Sequence, residues 1–321
     1  MSKTGSVRRS DLDEYRLRLA PTDLLVERRL GKARSLLPQR VSAALKAFGS
    51  RRKFNQMLVL SEDMGFLLGG LLKLSRWKGK LHIVVHAGHG RRRKFLFGLT
   101  DSPRVANYIV FCERQRQVLI NDVGFDPSRV RTLLNPIDTV FFDAQKVESQ
   151  AGSGGHVFSC GLENRDYTTL SQAAEKTDIP FIVQATGYFN ESKDPKQHPA
   201  NFDVRKTRVS FERLRELYHE SLFAVVPLNA VDYAAGVNGI LEAMAMGKAV
   251  IAMQSPGLAE YLAVEGVRVV SPHDPEALVA VIEELRASPE LCAEMGAKNR
   301  AWVVENCEVS NYADKVANLM S

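Results

Sequence analysis

The spacing of hydrophobic and polar positions changes several times along this chain. From about Arg52, short runs of β-type residues alternate with longer runs whose apolar positions recur three and four apart. That alternation predicts a parallel sheet covered by helices. Gln56–Leu60, Leu81–Val85, Asn107–Phe111 and Val130–Leu133 read as a first set of strands, each separated from the next by enough chain for a crossover helix. Val157–Cys160, Phe181–Gln184, Leu222–Pro227, Ala249–Ala252 and Val267–Val270 read as a second set, alternating with helices over TTLSQAAEKT, FERLRELYHE and GILEAMAMG. Between the sets, VESQAGSGGH (Val147–His156) is small, polar and glycine-rich and reads as a linker. After Pro275 the pattern predicts two helices split at Ser288-Pro289, then a last helix from Ser310 to Met320.

The expected organisation is therefore a mainly helical N-terminal segment over 1–50, a first α/β domain over 51–146, a linker over 147–156, a second α/β domain over 157–305, and a C-terminal helix over 306–321. A length of 321 residues suits two domains better than one.

Composition narrows the class. Apolar residues at 45% and charged residues at 25% are the balance of an ordinary globular protein, not of a disordered or fibrous one. The 43 basic residues exceed the 37 acidic ones and concentrate in the first hundred positions, so the N-terminal half is suited to phosphates, anionic headgroups or nucleic acid. Nucleic acid is not expected, because aromatic residues are not interleaved with the basic ones. Cys112, Cys160, Cys292 and Cys307 stand far apart without a C-x-x-C pair, which predicts neither a disulfide framework nor a zinc site. With no apolar run of signal-peptide or membrane-span type, the expected location is cytoplasmic, with peripheral attachment to the inner face of the membrane as an extension of that reading.

The richest segment for chemistry is VVPLNAVDYAAGVNGILEAMAMGKAVIA, Val225–Ala252, which reads as strand, loop, helix and strand. A helix that starts between Gly236 and Gly239 lets a phosphate approach its unpaired N–H groups, with the helix dipole favouring negative charge. Glu242, one turn on from Asn238 and Gly239 and on the same face, can accept hydrogen bonds from two neighbouring hydroxyls such as those of a ribose. The same residues also suit a plain glycine-shaped turn with a solvated glutamate.

This segment resembles the donor-binding region of GT-B glycosyltransferases of family 4, and four further stretches resemble the same family in order: LLNPIDTVFF, VFSCGLENRDYTTLSQA, LRELYHESLFAVVPL and SPHDPEALVAVIEEL. Within it, the chain is similar to a subgroup with a Gly-x-x-x-Arg-Asp-Tyr segment, here Gly161–Tyr167. The resemblance implies an α/β GT-B fold, two Rossmann-like domains facing across a cleft, with the N-terminal, acceptor-side one shortened. It implies a retaining, hexosyltransferase-like enzyme that moves a sugar from a UDP or GDP sugar to an acceptor left open among glycan, lipid and small molecule. No cofactor and no metal are implied.

Carried over by position, the resemblance makes Glu242 the ribose-binding acid and places the diphosphate and donor sugar on Gly236, Val237, Asn238 and Gly239. Gly161 and Arg165 would face the leaving diphosphate, Arg165 neutralising its charge; a surface ion pair of Arg165 with Asp166 or Glu163 is the other reading. Phe211, with Arg213, falls where relatives contact the nucleotide base. His86, after a buried strand, matches a histidine that touches the donor sugar. The glutamate usual eight positions before Glu242 is here Ala234, and Asp232 is either its substitute or a turn-stabilising residue. Lys248, after the helix, reads as a C-terminal capping charge. The run Arg91-Arg92-Arg93-Lys94 before Phe95, Leu96 and Phe97 reads as an acceptor or anionic-membrane patch, or as a solvated charge run.

Ala234 keeps a second class open, a sugar-nucleotide-binding module of the same fold with weak or no turnover. A sugar-nucleotide epimerase, a further alternative, needs acidic groups around the sugar, and Ala234 weighs against it.

Overall fold

The structure, a computed structural model, describes residues 39–87, 97–98, 101–148, 154–186 and 198–321. It divides into two compact units. Among described residues, the first holds those up to Leu134 together with Asp232–Ala234 and Ser310–Ser321; the second holds those from Asn135 to Val231 and from Ala235 to Val309.

The first unit begins with α1 (Gln39–Ser50), whose Ala44 and Ala47 are buried, and α1 lies against α2 (Glu62–Lys73). Its four strands, β1 (Gln56–Val59), β2 (Lys80–Val84), β3 (Val105–Val110) and β4 (Val130–Thr132), pair in parallel in the order β1-β2-β3-β4. After β3 comes α3 (Glu113–Val118), extended by a wider turn over Leu119–Val123. On one face of the sheet, Phe66 stacks on Phe97 at 3.8 Å between centroids and Tyr108 on Phe125 at 4.2 Å. Each such buried aromatic contributes on the order of 2–3 kcal/mol of hydrophobic stabilisation.

The second unit is larger. Its strands β5 (Val157–Cys160), β6 (Phe181–Gln184), β7 (Phe202–Arg205), β8 (Phe223–Val226), β9 (Val250–Met253) and β10 (Val267–Val270) are all parallel, in the order β10-β9-β8-β5-β6-β7. Its helices are α4 (Tyr167–Ala174), α5 (Phe211–Glu220), α6 (Val237–Ala245), the short α7 (Ala259–Leu262), α8 (Pro275–Ala287) and α9 (Pro289–Cys307). β5, β8 and β9 read VFSC, FAVV and VIAM and are buried at every position, as strands covered by helices on both faces must be.

The chain ends in α10 (Val309–Met320), all but its first residue falling with the first unit. A polar ladder ties its end to three strands. Asn107 in β3 donates to the Leu319 carbonyl at 3.1 Å and to His82 Nδ1 at 2.9 Å, His82 Nε2 meets Gln56 Oε1 at 2.9 Å, and Gln56 donates to the Met320 carbonyl. Two helix-end carbonyls that would otherwise lack partners are thus satisfied. His82 is fully buried, and burial with Lys80 nearby lowers its pKa to about 4, so the ring is neutral with its proton on Nε2.

Candidate functional site

In the second unit β5 has β6 on one side and β8 on the other, so successive connections leave its neighbourhood in opposite directions. Ligands of open α/β sheets bind beyond the carboxyl ends of strands at such a switch point. The loops after β5 and β8 meet there. Arg165 bridges Leu228, Asp166 N–H donates to the Pro227 carbonyl at 3.2 Å, and Asn229 N–H to the Asn164 carbonyl at 2.9 Å.

Arg165 is the centre of this arrangement. Only 6% exposed, it donates from Nε to the Cys160 carbonyl and from a terminal nitrogen to the Glu163 carbonyl, both at 3.0 Å. The guanidinium threads between two glycines of left-handed backbone, Gly161 (φ 96) and Gly236 (φ 79). A Cβ on Gly161 would lie 2.5 Å, and one on Gly236 2.7 Å, from its nitrogens, so a side chain at either position would displace the guanidinium. The ion pairs among the described residues do not include Arg165. Asp166 instead caps α4 through Thr169 N–H at 3.1 Å and meets His273 Nδ1 at 2.7 Å. The structure therefore does not form the Arg165–Asp166 pair considered from the sequence, and Glu163 offers its carbonyl, not a salt bridge.

The guanidinium stands at the first turn of α6. Gly236 is the N-cap, and Gly239 N–H turns back to the Gly236 carbonyl at 3.0 Å, leaving the N–H groups of Val237 and Asn238 without an intrahelical acceptor. Of the four residues expected to face the diphosphate and donor sugar, Gly239 thus has its N–H already engaged. Asn238 Oδ1 accepts from Asn135 Nδ2 at 3.0 Å, and Asn135 N–H donates to Tyr261 Oη at 2.8 Å.

One turn on, Glu242 is 4% exposed. Tyr218 of α5 points at it, its hydroxyl 3.3 Å from Glu242 Oε2, 3.2 Å from the Gly239 carbonyl and 2.9 Å from Cys160 Sγ. A hydroxyl has one proton, so with that proton directed at the glutamate or the carbonyl the thiol is the donor to Tyr218. Burial, with Glu242 nearby, pushes the Cys160 thiol up to about 12, which keeps the sulfur protonated and unsuited to nucleophilic attack. The solvated Glu242 considered from the sequence is not what the fold builds. Tyr218, Asn135 and Tyr261 were missed by sequence reasoning as partners of this site; Asn135 and Tyr218 lie in stretches that carried the family resemblance, but nothing local marks them as neighbours of α6.

The remaining candidates stand on other elements. Phe211 opens α5 behind its N-cap Ser210, and Arg213 is pinned along the same helix to Glu216 at 2.8 Å and Glu220 at 2.9 Å. Asp232 falls with the first unit, its carboxylate 2.7 Å from Arg114 Nε. His86, also in the first unit, follows β2 at the carboxyl edge of that sheet, with Nε2 3.0 Å from the Leu60 carbonyl. Because a carbonyl only accepts, Nε2 is the donor in this contact. Glu62, buried at the start of α2, holds this loop by accepting from the N–H groups of His86 at 3.1 Å and Ala87 at 3.2 Å. Arg91, Arg92, Arg93 and Lys94 lie outside the described residues.

Lys248 caps a helix other than the one it follows. Its ammonium donates to the carbonyls of His219 at 2.8 Å and Ser221 at 2.6 Å, at the end of α5, and burial lowers its pKa to about 8. Among the described residues no group of three His, Cys, Asp or Glu side chains could hold a metal ion. No helix among them is long and apolar enough to cross a membrane.

Residues 170–288 match the family model described as glycosyl transferases group 1, a span that includes α6 and Glu242 but begins after Arg165. No curated protein matches the chain by sequence. Among solved structures, Alr3699/HepE of Anabaena in complex with UDP and glucose is similar with a TM-score of 0.70 at 13% identity, covering 89% of this chain and 83% of that one. A glycosyltransferase of Rickettsia africae gives 0.66 at 14% identity, covering 90% and 83%. Sucrose-phosphate synthase of Thermosynechococcus elongatus gives 0.67 at 16% identity, covering 88% and 77%. Two parallel-sheet α/β units in this arrangement of strands are the GT-B fold.

Proposed function

We propose that this chain, which carries a glycosyl transferases group 1 domain within a GT-B fold, is a retaining glycosyltransferase using a nucleoside diphosphate sugar. The observation that carries the reading is the Arg165 guanidinium, buried at the first turn of α6 without an ion pair among the described residues. A cation and free helix N–H groups at one point favour a diphosphate, and favour it more as negative charge develops on the leaving group. Glu242, one turn further along α6, suits the ribose hydroxyls.

In the proposed step the bond from the anomeric carbon to the diphosphate oxygen breaks, and the acceptor oxygen bonds to that carbon from the same face. The acceptor proton passes to the departing phosphate. No protein nucleophile takes part; the protein supplies orientation and charge stabilisation. The solved HepE structure contains UDP and glucose, which supports uridine as the first nucleotide to try.

Thermal denaturation with UDP, GDP and their glucose and mannose derivatives tests donor binding. A ligand at 100 times its Kd stabilises by about 2.7 kcal/mol, and the increase should vanish in Arg165→Ala. A melting temperature indifferent to every nucleotide would sink the proposal. Anomeric NMR signals of the product then test retention. A second reading, a binding module without turnover, is favoured by Ala234 and by the Arg114–Asp232 pair that occupies the acid nearest to it; donor binding with neither hydrolysis nor transfer would select it.

A further inference from the structure

The first unit contains a cavity of about 500 Å³ at the amino edge of its sheet, where β1 and β2 begin. His86 follows β2 at the other end of the same sheet, a strand length or roughly 15 Å away. Among the described residues five cations line the cavity, Arg51, Arg52, Arg76, Lys78 and Lys80, and no acidic residue does. Arg52, Arg76, Lys78 and Lys80 form no ion pair among the described residues. Arg51 is fixed but not neutralised, stacked 3.9 Å from the Phe48 ring and donating to the Phe48 carbonyl at 2.8 Å.

The cavity has a built floor. The buried Trp77 indole donates to the Phe54 carbonyl at 2.9 Å, and Lys80 N–H donates to the Asn55 carbonyl at 2.8 Å, which ties the loop before β2 to the loop before β1. Gly79 allows that approach, since a Cβ there would meet the Trp77 ring at 2.1 Å and the Asn55 carbonyl at 2.4 Å. Like charges gathered on a rigid frame repel one another, and the arrangement is relieved when an anion lies among them.

We propose that this cavity is a second anion site, separate from the β5–β8 switch point, which takes a ligand bearing two or more phosphate groups with an apolar portion against Trp77 and Phe54. A volume of this size accommodates a small molecule or one lipid headgroup. Those two sources share the phosphate chemistry, and the test separates them.

The full chain carrying Trp302→Phe leaves Trp77 as the tryptophan that reports on the cavity. Its emission is titrated with tripolyphosphate, with cardiolipin vesicles, whose headgroup bears two phosphates, and with neutral phosphatidylcholine vesicles. The expected result is a saturable, salt-sensitive change with tripolyphosphate or with the anionic vesicles, weakened at least tenfold in Arg52→Ala/Lys78→Ala, both exposed positions, while the UDP-induced thermal shift is unchanged. A response to tripolyphosphate assigns a soluble phosphate compound, and a response to anionic vesicles alone assigns a headgroup. A parallel Lys78→Glu chain should show the same loss. No saturable response to either anion, an equal response in the variants, or an equal response to neutral vesicles would overturn the proposal.

Discussion

Arg165 and the two glycines around it set the tightest constraints on single residues. Arg165→Lys keeps a positive charge but loses the fork that reaches two carbonyls, so donor affinity should drop at least tenfold in a calorimetric titration. Gly236→Ala should be worse for the fold. Its φ of 79 costs an L-residue about 1–2 kcal/mol, and the new methyl would contact the guanidinium. Urea denaturation should show that loss together with weaker nucleotide binding; full stability with normal binding would mean the guanidinium has more freedom than its contacts indicate. Gly236 and Gly239 could be read from sequence because a glycine-bracketed helix start is a local signal. The close packing of Gly161 and Gly236 on the same guanidinium could not, because it depends on the loops after β5 and β8 being brought together.

Among the elements, α5 links the most distant parts of the site. Its last turn presents Tyr218 to Glu242 and Gly239, and its end is capped by Lys248 from the loop after α6. Tyr218→Phe should cost about 1 kcal/mol of stability and raise the KM for the donor more than it lowers kcat. Lys248→Met should cost about 1–3 kcal/mol by leaving two buried carbonyls unmet. The pH dependence checks the second. With a folded pKa near 8 against 10.5 unfolded, the unfolded chain binds more protons between those values, so wild-type stability should rise across that window relative to the methionine variant. A stability difference constant from pH 7 to 10.5 would contradict a buried Lys248. Most strands were legible because runs such as FAVV and VIAM have no other comfortable place. β7 was missed: FDVR is short, half polar and at the sheet edge. The capping partner of Lys248 was missed as well, since a lysine after one helix carries no mark of the other helix end it reaches.

At the scale of the whole molecule, the first unit is closed by a ladder that runs through three strands to the final helix. His82 is its only titrating member, with a pKa lowered from 6.5 to about 4. Between those values the unfolded chain binds the extra proton, so folding should weaken as pH falls from 6.5 towards 4, by roughly 3 kcal/mol in all for this group. Denaturation midpoints across that range, compared with His82→Gln, isolate the contribution; parallel curves would exclude it. The order of strands in the second unit bears on how the protein is made. β5 must pair with β8, which emerges only after β6, β7 and α5 have been synthesised, so this contact closes a long loop and comes late and slowly. Arg165 gains its place between Gly161 and Gly236 in that same event. The proposed nucleotide site is therefore completed only once β5 and β8 have paired, and a chain stalled before that presents a cation with nothing to hold it.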